Sequence, residues 1–524
     1  MTAVLDEQAG TVFVGGAGRD HASPQSLLLK YANRHGMIAG ATGTGKTVTL
    51  QTLAESLSLA GVPVFMSDVK GDLAGLSQSG SQDAPLHDAF RKRADQIGLT
   101  LEYQSFPVTF WDVWGEKGHP VRTTPAEMGP LLLSRLLDLT DVQEGVMNIA
   151  FRVADEQGLA LLDLGDLQAM LVWVGQNAAD LSLQYGNVST ASVGAIQRAL
   201  LVLENQGGNK LFGEPALELA DLLRVDQAGR GVVNILAADR LMNSPRLYAT
   251  FLLWLLSELF EQLPEVGDPD RPRVAFLFDE SHLLFDDAPK ALIDKVEQVA
   301  RLIRSKGVSV WFISQNPADI PEDVLGQLGN RVQHGLRAFT AKDQKALRLA
   351  AQNYRNNPDF DIAEAIQSVG TGEAVTSLLE AKGVPGIAQR TLIRPPFSRL
   401  GPVDEAERKA VLAASPMGAK YDLGLDRESA KEILAKRADQ AAQESLAAKQ
   451  NVGADDDLFD MSRDEYQNAR RYEPRQEAAS GSRRRSSRSD SIAETFGKSL
   501  ARQLGTKSGQ ALVRGVLGSL FRGR

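Results

Sequence analysis

Residues 40–47 read Gly-Ala-Thr-Gly-Thr-Gly-Lys-Thr, a complete G-x-x-x-x-G-K-[ST] phosphate-binding loop. The apolar run Met37, Ile38, Ala39 precedes it and an amphipathic helical pattern follows, which is the strand, loop and helix context that the motif requires. Its glycines allow consecutive N–H groups to turn inward around a triphosphate, and the helix that follows adds its positive dipole end. Gly40, Ala41, Thr42, Gly43, Thr44, Gly45, Lys46, Thr47 and Val48 therefore form the expected ATP-binding segment. Lys46 is expected to reach the β- and γ-phosphates, and the Thr47 hydroxyl to ligate Mg2+.

Downstream, residues 274–278 are an apolar run, Val-Ala-Phe-Leu-Phe, followed by Asp279 and Glu280. A P-loop hydrolase needs such a pair: Asp279 orients the Mg2+ shell with Thr47, and Glu280 polarises the attacking water. This strand is expected beside the phosphate-loop strand. A kinase could use Asp279 alone, because its nucleophile is a substrate hydroxyl, so the adjacent Glu280 favours water as acceptor. The next apolar run, 308–314, ends in Ser314, Gln315, Asn316 and Pro317. Gln315 is expected to hydrogen-bond both the γ-phosphate and the water; the other reading is an ordinary turn. Oligomeric ATPases complete the site with an arginine from a neighbour. Arg301, Arg304 and Arg331 lie downstream of the acids, and Arg331 is the one expected in that role.

The elements that must hold these residues alternate. Strand, loop, helix 46–60 and strand 62–67 make a βαβ unit. Its second strand runs into Asp68, Val69, Lys70, Gly71 and Asp72, which either face the ligand crevice or form a solvated turn. Residues 102–114 are β-rich, and 127–224 are mostly helical by apolar spacing. Strands and helices then alternate again: strand 231–237, helix 245–262, strand 274–278, helix 289–304, strand 308–314, helix 322–328 and strand 332–338. The pattern predicts an α/β fold with a parallel-rich sheet and a helical insertion at about 127–225 in one crossover. Residues 1–30 are expected as an N-terminal extension to a core at 31–400. Residues 401–450 are expected as a helical extension and 451–490 as a disordered linker, being charged, Ser-rich and poor in aliphatics. Residues 491–524 place an apolar stripe beside a basic face, a tail suited to a protein partner, an anionic membrane or nucleic acid.

Composition narrows the classes. A chain of 524 residues that is 43% hydrophobic is globular, and no run of about 18 apolar residues spans a membrane. The first residues lack the order of a secretory signal, so the expected address is cytoplasmic. Without cysteine there are no disulfides or thiolate ligands, and the six scattered histidines predict no structural metal. Net charge is −9, but residues 482–524 carry ten basic and two acidic residues, leaving −17 on the first 481. An acidic body argues against a protein coated in nucleic acid and still allows a local basic channel.

The phosphate loop with residues 33–40 before it, the turn 67–73, the stretch 110–120, the Phe278-Asp279-Glu280-Ser281-His282 acid pair and Ser314-Gln315-Asn316-Pro317 resemble the bacterial HerA-like helicase/ATPase proteins, within the HerA–FtsK class. The likeness covers roughly residues 10–400. It implies a RecA-like core, ATP hydrolysis with Mg2+, assembly of copies of the chain into a hexameric ring, and translocation on duplex DNA. Only about 35 residues precede the loop, too few for the barrel domain found ahead of the core in archaeal HerA. Two functions follow: a ring motor on DNA, or an ATP-driven switch or scaffold that remodels a protein partner.

Overall fold

The computed structural model describes residues 3–285, 290–338 and 340–459. Among these described residues thirteen strands join one sheet: β1 (Leu5–Asp6), β2 (Thr11–Ala17), β3 (Ser23–Leu28), β4 (Gly36–Ala39), β5 (Val64–Asp68), β6 (Val108–Asp112), β7 (His119–Pro120), β8 (Val233–Ala237), β9 (Val274–Phe278), β10 (Val308–Ser314), β11 (Asn330–Gln333), β12 (Glu373–Ser377) and β13 (Gln389–Ile393). Their order is β1-β2-β13-β12-β11-β4-β10-β9-β5-β8-β6-β7, with β3 on β2. From β11 to β7 every pairing is parallel, whereas β12, β13, β2, β1 and β3 join antiparallel. The fold is α/β with a large, mostly parallel sheet. Strands such as β9 (VAFLF) and β10 (VSVWFIS) are buried at every position, as continuous apolar runs in a parallel sheet must be.

Helix α1 (Lys46–Leu59) follows β4 and packs on β2, β4 and β5. Its Leu50, Ala54 and Leu57 are fully buried with Ile38, Val64 and Met66 of the sheet, so the core lies directly behind the phosphate loop. Between β7 and β8 the chain forms the expected helical insertion, from Pro125–Leu136 to Leu219–Leu222. Helix Pro245–Gln262 runs as the periodicity predicts and contacts both the insertion helix Pro125–Leu136 and helix Lys290–Leu302.

Several expectations are corrected. The acid-pair strand β9 is not beside β4, because β10 hydrogen-bonds both and separates them. Residues 1–30 are not an extension: β2 pairs with β13, which gives that strand a partner and fuses the N-terminus to the sheet. Of 102–114 only Val108–Asp112 is strand. Helix Glu322–Leu325 is a single turn, and strand β11 ends at Gln333 because the chain departs after His334 donates its amide to Ala39 O (2.7 Å).

The compact unit runs to Ala430, past the expected limit at 400. Helix Glu405–Ala414 packs on β6, with the Arg408 guanidinium 4.5 Å from the Phe110 ring centre, and Tyr421 meets Trp111 edge-on at 5.1 Å. The described residues from Lys431 onward fall to a second unit. Helix Ala430–Phe459 carries nine residues past 450, where a linker was expected, since extending a formed helix costs less than starting one. The rest of the linker and the basic tail lie outside the described residues. Among those described, no helix is long and apolar enough to cross a membrane.

Candidate nucleotide-hydrolysing site

The parallel register places the site. Ser314 of β10 lies opposite Ala39 of β4, and Phe312 opposite Phe278 of β9, so the loop, Gln315 and the acids leave the same carboxyl edge of the sheet. With neighbouring strands about 4.8 Å apart, the acids stand roughly 10 Å across from the loop strand, and Gln315 emerges between them. That spacing leaves room for a phosphate, a cation and a water.

The loop has the backbone its sequence demands. Gly40, Gly43 and Gly45 take φ of +153°, +79° and +115°. A Cβ on Gly40 would lie 2.5 Å from His334 Cβ, and one on Gly45 would abut Gly372 at 3.1 Å. The curve is pinned from outside by Ala41 N–H to Gly335 O (2.9 Å) and Gly40 N–H to Ser314 O (3.3 Å), and from within by Thr44 Oγ1 to Ala41 O (2.7 Å). Thr42 and Gly43 are exposed at its tip. Lys46, Thr47 and Val48 open α1, where amides have no acceptor within the helix and face an anion site.

The Lys46 ammonium is buried and donates to Gly40 O (2.7 Å) and Ala41 O (3.2 Å), with no carboxylate within 4 Å among the described residues. Burial lowers its pKa, and Glu280 and Asp279 act in the opposite sense. A buried cation resting only on carbonyls fits a phosphate ligand. His334 braces the loop from behind, bridging Thr49 Oγ1 (2.8 Å) and Glu373 O (2.8 Å). Its burial pushes its pKa down to about 4, so it stays neutral beside Lys46.

Asp279 is buried and accepts the Glu280 amide at 2.9 Å. Burial raises its carboxyl to about 6, with the Glu280 charge adding to the effect. A buried carboxylate whose charge is poorly solvated suits a divalent cation, and its oxygens, like the Thr47 hydroxyl at the start of α1, are of the hard type that Mg2+ takes. Glu280 adopts φ 47°, ψ 47°, a left-handed conformation that costs a non-glycine residue roughly 1–2 kcal/mol. Its Oε1 receives Lys70 Nζ at 2.5 Å, and its Oε2 lies 3.4 Å from Gln315 Nε2 and from His282 Nδ1. Burial opposes ionisation of Glu280, but Lys70, Gln315 and His282 outweigh it and hold the carboxyl below its usual range.

The structure thus brings Lys46, Thr47, Asp279, Glu280 and Gln315 to one edge. Arg331, expected to act toward a neighbouring copy, is not at that edge of its own chain. That guanidinium donates to Leu328 O (3.1 Å), Asn353 O (2.7 Å) and Leu325 O (3.3 Å), bracing its own chain. Arg304 pairs with Asp268 at 3.1 Å, and Arg301 with Glu297 one helical turn away. Sequence reasoning left Lys70 and His334 without a role. Lys70 lay in a flagged turn, but nothing in sequence pointed it at Glu280, and no signal marked His334.

Sheet order, phosphate loop and acid pair together define a P-loop nucleoside triphosphatase. More narrowly, the chain belongs to the helicase HerA-like C-terminal family, whose model matches residues 17–524. No curated protein matches its sequence. Among solved structures it is similar to the bacterial conjugative coupling protein TrwBdeltaN70 in an unbound monoclinic form, at 15% identity over 76% of this chain and 92% of that one, with a TM-score of 0.49. It is also similar to VirB4 of Thermoanaerobacter pseudethanolicus, at 17% identity over 78% and 99%, with a TM-score of 0.46.

Proposed function

We propose that this protein is a Mg-ATP-dependent motor of the HerA–FtsK class, assembling as a ring, a hexamer by family resemblance, and acting on duplex DNA. The observation that carries the hydrolytic part is the Glu280 carboxylate held beside Gln315, across from a complete phosphate loop. Lys46 exchanges its two carbonyl partners for the β- and γ-phosphates. Thr47 and Asp279 would hold Mg2+, which would supply positive charge to offset that of the phosphate oxygens. Glu280 takes a proton from water as the water oxygen bonds to the γ-phosphorus and the bridging bond to ADP breaks. Gln315 orients that water and reads the γ-phosphate.

The acidic body, −17 over residues 1–481, favours a second reading in which the same ATPase remodels a protein partner. Hydrolysis measured with and without duplex and single-stranded DNA, at low and moderate salt, separates the two. A DNA motor is stimulated by duplex at low salt, with the effect fading as salt rises. Full activity in a monomer indifferent to DNA rejects the ring motor. Parent-rate hydrolysis by Glu280→Gln rejects the assignment of the base.

A further inference from the structure

The turn after β5 is built, not loose. Asp68, closing β5, accepts the Gly71 amide at 2.7 Å on one oxygen and the Leu73 amide at 3.1 Å on the other, and Gly71 supplies a φ of +80°. Strands β5 and β9 are hydrogen-bonded neighbours, with Ser67 opposite Phe278, so this capped turn and the acid pair leave adjacent strands at one edge. The turn sends Lys70 across that edge to Glu280, where Nζ meets Oε1 at 2.5 Å. The Lys70 side chain is 48% exposed while that of Glu280 is 5% exposed, so the lysine reaches in from solvent to a carboxylate that solvent barely touches.

A glutamate has three side-chain torsions, and the left-handed backbone of Glu280 fixes only where the side chain begins. A short, charge-assisted contact to one carboxylate oxygen fixes the rest. With Oε1 so engaged, Oε2 is the oxygen that faces Gln315. We propose that Lys70 is a positioning residue for hydrolysis, its ammonium pinning Oε1 of Glu280 so that Oε2 is presented, beside Gln315, to the attacking water. This rests on the reading of Glu280 as the water-activating base. Lys70 acts through Glu280 and not on the nucleotide, so its removal costs turnover and spares affinity.

The test uses the full chain, with steady-state ATP hydrolysis and binding of a non-hydrolysable ATP analogue for Lys70→Met, Lys70→Arg, Glu280→Gln and the double variant Lys70→Met/Glu280→Gln. Lys70→Met is expected to lower kcat by about 10- to 100-fold, the scale of a misplaced catalytic group. KM and analogue affinity stay within about twofold, and Lys70→Arg recovers most of the rate. The double variant is no slower than Glu280→Gln, because a pin has no effect once the base is gone. An unchanged analogue affinity also shows that Lys70→Met is folded. Weaker nucleotide binding with kcat preserved makes Lys70 a phosphate ligand and overturns the inference, as do losses that multiply in the double variant. Parent-rate Lys70→Met beside a crippled Glu280→Gln defeats the inference alone. Parent-rate Glu280→Gln defeats the base assignment beneath it.

Discussion

Glu55→Gln tests whether α1 is held by a buried charge pair. Glu55 of α1 and Arg394, just past β13, are both 0% exposed and joined at 2.9 Å. Arg394 also donates to Thr52 O (2.7 Å), Ser56 Oγ (3.0 Å) and Pro395 O (3.1 Å). Glu55 receives the amides of Phe397 (3.0 Å) and Ser398 (2.9 Å) and the Ser398 hydroxyl (2.5 Å). Glutamine keeps the volume but strips the negative charge, leaving a buried guanidinium without a counter-ion and turning an NH2 group toward donors. Breaking one side of such a pair costs about 3–5 kcal/mol. Equilibrium urea unfolding followed by tryptophan fluorescence is expected to show that loss. Because the desolvation of both charges disappears together, Glu55→Leu/Arg394→Met is expected to lose less than Glu55→Gln alone. A loss below about 1 kcal/mol for Glu55→Gln, or a double variant worse than the single, refutes the reasoning.

Lys46→Ala should abolish nucleotide binding, read by titration with a fluorescent ATP analogue, since the loop positions no other cation on the phosphates; retained affinity would reassign the lysine. Gly40→Ala should impair both binding and stability, because the new Cβ meets His334 at 2.5 Å in a φ of +153°; a variant that binds like the parent contradicts the tight loop. His35 is buried, bonded through Nε2 to Ala300 O (2.6 Å) while Nδ1 accepts the Val310 amide (3.1 Å), and burial lowers its pKa to about 4 from 6.5. The unfolded chain therefore binds the proton first, so stability is full above about pH 6.5 and falls by about 3 kcal/mol as pH drops through 4. His35→Gln should flatten that part of the urea-midpoint profile, and an unchanged slope removes His35 from the acid sensitivity. Deleting residues 482–524 should leave nucleotide binding intact, since the motifs lie before residue 400; lost affinity would place the tail in the nucleotide-binding unit.

Contiguous patterns were legible in the sequence. The phosphate loop must be consecutive residues because its ligand is held by consecutive backbone amides, so residues 40–47 declare it without any fold. The bounds of helix Pro245–Gln262 and of strands Val274–Phe278 and Val308–Ser314 follow likewise from apolar runs and flanking breakers. Tertiary structure decided what those runs lie beside. An apolar strand carries no label for its neighbour, so sequence put β9 next to β4, whereas the later β10 takes that place. The same ignorance made residues 1–30 an extension, when pairing with β13 claims them, and left unseen the three carbonyls of its own chain that meet Arg331. The meetings of Lys70 with Glu280, 210 residues apart, and of Glu55 with Arg394, 339 apart, depend on sheet order and packing, which are set by burial and backbone pairing summed over the whole chain. Sequence thus fixes chemistry that is local along the backbone. Which charges neutralise, hold or aim one another is settled only when the sheet closes around them.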